Sequence, residues 1–180
     1  MHEINWLYFG LTAMTYDDRI RLNILSSDES LAVCDDDEYL IKADRLTSLF
    51  RLPSRVTWYD GLIDTGAMMT VLPQSIWSQH ESAINWVKAP DNQQFPDWLC
   101  KVSGLTGGGF NCRVGVIAFQ FCDVYLRRLP PTNIFVKCAE DHGHLKRTLI
   151  GLGGRTFEAR RLEIDYSAND AWLHQVQIRS

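Results

Sequence analysis

Apolar residues in this chain fall mostly at every second position. Ile20, Leu22 and Ile24 alternate with Arg19, Arg21 and Asn23, and Val56 and Trp58 alternate with Arg55, Thr57 and Tyr59. A period of two puts alternate side chains on one face of an extended backbone, so the pattern predicts strands. Further strands are predicted at 39–41, 48–52, 99–103, 112–125, 133–137, 162–166 and 172–178. Pro53-Ser54, Asp60-Gly61, Pro130-Pro131 and the glycines 107–109 and 151–154 punctuate them, as turn formers should. Two segments invite a helix: 73–81, and 155–161, where two short turns are expected after the glycine-rich corner. There is no internal repeat and no low-complexity linker. The expectation is a mainly β single domain.

Composition narrows the function classes. With 180 residues, 46% of them hydrophobic, the chain is long enough to bury about 70% of its unfolded surface. It therefore needs neither a metal nor a disulfide for its core, and no cofactor is expected. The net charge is -4 and the basic residues are scattered, which argues against nucleic acid as a partner. No apolar run approaches the roughly 20 residues that span a bilayer, so no membrane partner is expected. The stretch from Trp6 to Met14 is moderately apolar, but Glu3 precedes it and Tyr16, Asp17 and Asp18 end it, which disfavours a cleaved signal peptide. Cys34, Cys100, Cys112, Cys122 and Cys138 are odd in number, far apart and without a Cys-x-x-Cys pair. They read as reduced, packed thiols of a cytoplasmic protein.

The chemistry concentrates in Gly61-Leu62-Ile63-Asp64-Thr65-Gly66-Ala67, where an apolar strand delivers a carboxylate into a Thr-Gly turn. Asp and Gly at a strand end are ordinary turn formers. A sharper reading follows if two such carboxylates face each other: like charges a few ångströms apart share one proton. One carboxylate then takes a proton from water while the other gives a proton to the departing or developing oxygen. In that reading Asp64 is the acid or base, Thr65 fixes the turn by hydrogen bonding, and Gly66 lets the backbone approach a substrate.

The heptad and the following Met68-Met69-Thr70-Val71-Leu72-Pro73 resemble the active-site segment of retropepsin-like aspartic proteases. Three downstream features match in order. Lys101 to Phe110, with Gly104, Gly107, Gly108 and Gly109, looks like the glycine-rich flap hairpin. Thr148-Leu149-Ile150-Gly151 looks like the late Ile-Leu-Gly corner that opens a short helix, and Leu162 to Tyr166 with Trp172 onward looks like the closing strands. The resemblance spans roughly 51–177. It implies an all-β acid-protease barrel or sandwich with a flap and one short C-terminal helix, over a domain of 46–180 preceded by an N-terminal extension, 1–45, that carries a strand. It also implies an aspartic endopeptidase that holds an extended polypeptide, with Ala67, Met68, Gly104, Leu105, Thr106, Gly107 and Gly108 as substrate-binding residues. The sequence holds one Asp-Thr-Gly and no Asp-Ser-Gly. The second carboxylate must then come from a second chain, and a twofold homodimer supplies it. The alternative is an inactive dimerisation or peptide-binding module of the same fold.

The chain departs from the viral pattern, which pairs an acid after the Ala with an Arg after the late Gly. Here those positions are Met68 and Leu152. The joint loss predicts an apolar contact in place of the ion pair. Residues 78–97 look inserted, and Trp58 and Trp77 are candidates to line the cleft. His142-Gly143-His144 lacks a third ligand and reads as an exposed turn. The run from Asp35 to Glu38 lacks the layout of a calcium loop. Neither glycine cluster has nucleotide-binding spacing.

Overall fold

The computed structural model describes residues 16–26, 30–34, 37–41, 44–103 and 109–176. Over these residues the fold is all-β, with two four-residue α-helices and a 3-10 turn. In chain order the strands are β1 (Arg19–Arg21), β2 (Asn23–Ser26), β3 (Ser30–Cys34), β4 (Asp37–Ile41), β5 (Asp44–Arg51), β6 (Tyr59–Asp64) and β7 (Thr70–Leu72). Helix α1 (Gln74–Trp77), the 3-10 helix Ser78–Ala83, β8 (Asn85–Trp86) and α2 (Asp97–Cys100) follow. The remainder is β9 (Lys101–Ser103), β10 (Gly109–Cys122), β11 (Thr132–Ala139), β12 (Thr148–Gly151), β13 (Arg160–Asp165) and β14 (Asp170–Gln175).

The main sheet runs β2-β5-β6-β12-β7-β11-β10-β8, and β10 also pairs with β5, so the hydrogen-bonded circuit closes on itself. Most pairs are antiparallel, but β6 lies parallel to β12 and β7 parallel to β11. The interior is filled by the stripe that the two-residue period aims inward. Phe50 stacks on Phe119 at 4.6 Å and Phe119 meets Phe121 edge-on at 5.0 Å, and Leu72, Ile117, Ile134 and Ile150 pack with them.

A second sheet, β1-β14-β13, lies apart from this circuit in its hydrogen bonding. Ile20 and Leu22 enter the same core as the phenylalanines, while β2 pairs with β5 from Asn23↔Thr47 to Ser26↔Asp44. Residues 19–26 are thus shared between both sheets. A boundary between residues 45 and 46 falls inside β5.

Local expectations fail in three places. Residues 55–58 form no strand and Val56 is 83% exposed, despite the alternation. The helix at 73–81 forms as α1 and the 3-10 turn, but 155–161 is not helical. It is a chain of tight turns closed by Thr156 N to Gly153 O, Glu158 N to Arg155 O and Arg160 N to Phe157 O. Gly154, Arg155 and Ala159 have φ of 63°, 69° and 56°, a left-handed backbone that no right-handed helix contains. Tertiary contacts select it: Thr156 is buried with its hydroxyl 3.0 Å from that of Thr70, and Phe157 packs edge-on against Phe121. The strand expected at 99–103 is divided, with α2 holding residues 99 and 100.

Candidate active site

Asp64 is the last residue of β6. Strand alternation buries Gly61 and Ile63 on the core side and leaves Leu62 and Asp64 half-buried on the other. β12 runs parallel alongside, from Thr148↔Gly61 to Gly151↔Asp64, so the carboxylate and the late glycine sit at the same level. The turn after Asp64 is closed by Asp64 itself: Oδ1 accepts the Gly66 N–H at 2.9 Å, and its carbonyl accepts Ala67 N–H at 3.2 Å. Thr65, expected to fix this turn, is exposed, and its hydroxyl has no partner among the described residues.

The loop that follows is locked by close backbone packing. Leu152 N–H donates to Ala67 O at 3.1 Å. A Cβ on Gly151 would lie 2.5 Å from the Met69 carbonyl, and one on Gly153 would lie 2.2 Å from Met68 O. The glycines at 151 and 153 therefore let two chain segments touch without side chains between them. Phe135 N–H, donating to Gly154 O at 2.8 Å, ties the corner to β11.

Asp64 and Thr65 open into a cleft of ≈ 630 Å3. Ile24, Leu46, Leu62, Leu149, Leu162, Ile164 and Tyr166 supply apolar walls, and Asp44, Arg45 and Ser103 add polar groups. Ser103 ends β9, which pairs antiparallel with the start of β10 from Gly109↔Ser103 to Asn111↔Lys101. Gly104, Leu105, Thr106, Gly107 and Gly108 lie outside the described residues. Ala67 is half-buried under Leu152, and Met68 is absent from this cleft.

Several expectations are corrected. Met68 is 64% exposed and Leu152 39%, so they do not fill a closed apolar space within the chain. Met68 instead lines a second, apolar pocket of ≈ 430 Å3 with Met69, Val87, Trp98, Leu99, Val114 and Phe135. Neither expected tryptophan lines the cleft. Trp77 is buried and donates Nε1–H to Ala139 O at 2.8 Å, while Trp58 lies under the guanidinium groups of Arg51 and Arg128. The cleft residues Ile24, Arg45 and Leu46 carry no motif. Their only signal is strand alternation, which does not say which face meets the cleft.

His142 and His144 are exposed, and no group of three or more His, Cys, Asp or Glu among the described residues is placed to hold a metal. No helix among them is long and apolar enough to cross a membrane.

No family model matches the chain, and no curated protein matches it. Among solved structures, a retropepsin-like aspartic protease from Rickettsia conorii is similar at 12% identity, over 89% of this chain and 96% of that one, with a TM-score of 0.42. That is a distant likeness in the path of the chain and assigns chemistry to no residue.

Proposed function

We propose that this chain is one half of a homodimeric aspartic endopeptidase in which each protomer contributes Asp64. The observation that carries the reading is that Asp64, Thr65 and Ser103, the last residue of the β9 arm, line one cleft with apolar walls. An apolar-walled cleft with a carboxylate on its floor and a two-stranded arm at its side suits an extended polypeptide, whose side chains alternate into pockets.

Each element has a chemical task. The Asp64 Oδ1 bond to Gly66 N–H orients the carboxyl and leaves Oδ2 free to face the partner's. Two carboxyls across a twofold axis share a proton: the ionised one accepts a proton from water as oxygen attacks the scissile carbonyl, and the protonated one donates to the developing oxygen. As the C–N bond of the tetrahedral species breaks, the carboxyl that took the water proton gives it to the leaving amine and the other carboxylate takes back the proton of the hydroxyl, which restores the shared-proton pair. Gly66 and Ala67 present backbone to the substrate with little side-chain bulk.

The test is subunit mixing. Asp64→Asn is nearly isosteric and should leave folding and dimerisation intact while abolishing peptide cleavage. Wild-type chains mixed with an excess of this variant, under verified exchange, should lose activity as the square of the wild-type fraction. A fall in simple proportion to that fraction would show each chain to be self-sufficient and would overturn the shared dyad. Folded dimers of the wild type that cleave no peptide would favour a binding module.

A further inference from the structure

The fold brings together two cysteines that the sequence holds apart. β9 and β10 pair with Gly109 opposite Ser103, Phe110 opposite Val102 and Asn111 opposite Lys101. The ladder ends there: Cys100, the last residue of α2, directly precedes Lys101, and Cys112 directly follows Asn111. Side chains directly opposite in an antiparallel pair share a face. Val102, Phe110 and Cys112 accordingly pack in one cluster. The Cys112 thiol donates to Leu99 O at 3.2 Å, which places its sulfur against the peptide bond that leads into Cys100. Cys100 is among the groups that raise the Cys112 thiol.

We propose that Cys100 and Cys112 form a dithiol site that small-molecule disulfides oxidise to an intrachain disulfide, covalently closing the base of the β9–β10 hairpin. The adjoining ladder pair, Lys101 and Asn111, has its Cα atoms roughly 4.5–5.5 Å apart, and the Cys112 sulfur lies 3.2 Å from the carbonyl of the peptide bond that leads into Cys100, so the two thiols start near the reach of a disulfide. Both cysteines are half-buried, so an oxidant reaches them, whereas Cys122 and Cys138 are buried. Cys138 is close in sequence register but is opposite Arg113, not Cys112, and packs in the other core cluster. Its side chain is on the face of the sheet opposite to that of Cys112.

The exchange balances in two steps. A thiolate of the pair attacks one sulfur of the small disulfide, forming a mixed disulfide and releasing one small thiolate. The second cysteine then loses its proton, displaces the remaining half and closes the Cys100–Cys112 bond. Two S–H groups become one S–S, and the oxidant's S–S becomes two thiols. Burial, the largest effect, pushes the Cys112 thiol up to about 11, so this cysteine is protonated near neutrality and closure is faster at pH 9 than at pH 7. The bond would tie α2, whose Trp98 and Leu99 line the Met68 pocket, to the hairpin arm that reaches the Asp64 cleft. The dithiol site does not depend on the peptidase reading.

The full-length folded chain, incubated with glutathione disulfide at pH 7 and pH 9, quenched with an alkylating agent and digested, should yield a peptide linking Cys100 to Cys112. That peptide should be lighter by two hydrogens and separable by reductant. Cys112→Ser and Cys112→Ala, checked for fold by circular dichroism, should stop at a glutathione adduct on Cys100. A glutathione adduct that persists in the wild type, a bond to Cys34, Cys122 or Cys138 in place of this one, or a pair still reduced at pH 9 would each overturn the proposal.

Discussion

Glycine and methionine on either side of the Asp64 loop illustrate how much a single position depends on its neighbours. Gly153 carries no side chain because the Met68 carbonyl occupies the place of its Cβ, at 2.2 Å. Gly153→Ala must push backbone away, and overpacking of this kind costs roughly 1–3 kcal/mol. Because the displaced backbone is continuous with Asp64, the proposed peptide cleavage should fall with it, measured by urea unfolding and initial rates on one preparation. Met68→Asp is expected to behave differently. The side chain is 64% exposed, and surface substitutions stay within about 0.5 kcal/mol. Denaturation at concentrations where the chain is a monomer should show that near-neutral effect, in contrast to the large loss that burial in an apolar contact would have produced.

At the scale of elements, the 3-10 helix Ser78–Ala83 is held in place by one buried imidazole. His80 is fully buried, with Nδ1 2.6 Å from Pro53 O and Nε2 2.8 Å from the Tyr59 hydroxyl, so it joins the turn before β6 to the first residue of β6. The neutral ring fits both partners when Nδ1–H donates to Pro53 O and Nε2 accepts the hydroxyl proton. Burial, the main effect, with Arg55 nearby, holds this histidine below its ordinary range; the Pro53 bond opposes the shift. The folded state thus resists a proton that the unfolded chain accepts near pH 6.5. The stability contributed by the neutral ring is full above that pH and is lost as pH falls towards the folded pKa. In urea titrations from pH 8 to pH 5, the stability advantage of the wild type over His80→Gln should shrink as pH falls. An advantage constant with pH would show that His80 titrates alike in both states.

For the whole molecule, the segment 19–26 joins two sheets. β1 pairs with β14 from Arg19↔His174 to Arg21↔Trp172, β2 pairs with β5, and Ile20 and Leu22 are 0% and 2% exposed between them. Removing residues 1–26 deletes two core side chains, each contributing roughly 1.5–3 kcal/mol, and uncovers the edges of β5 and β14. Since domains retain only about 5–15 kcal/mol, the shortened chain should lose cooperative thermal unfolding or melt far lower, followed by circular dichroism. Unchanged melting would show that the segment is peripheral.

Sequence by itself determined the all-β class, most of the alternating strands, and the strand-ending turn at Asp64-Thr65-Gly66. These are local properties: the period of two and the turn chemistry act over neighbours along the chain. The helix expected at 155–161 did not form because Thr156 and Phe157 are fixed by Thr70 and Phe121, far away in sequence. The alternation at 55–58 built no strand because no ladder partner meets it. The identity of the cleft walls, the exposure of Met68 and Leu152, the approach of Gly151 and Gly153 to the Asp64 loop, and the approach of the Cys112 sulfur to the Leu99 carbonyl were decided by tertiary structure alone. Each depends on which segments pair and in which register, and register is set by the packing of the whole core.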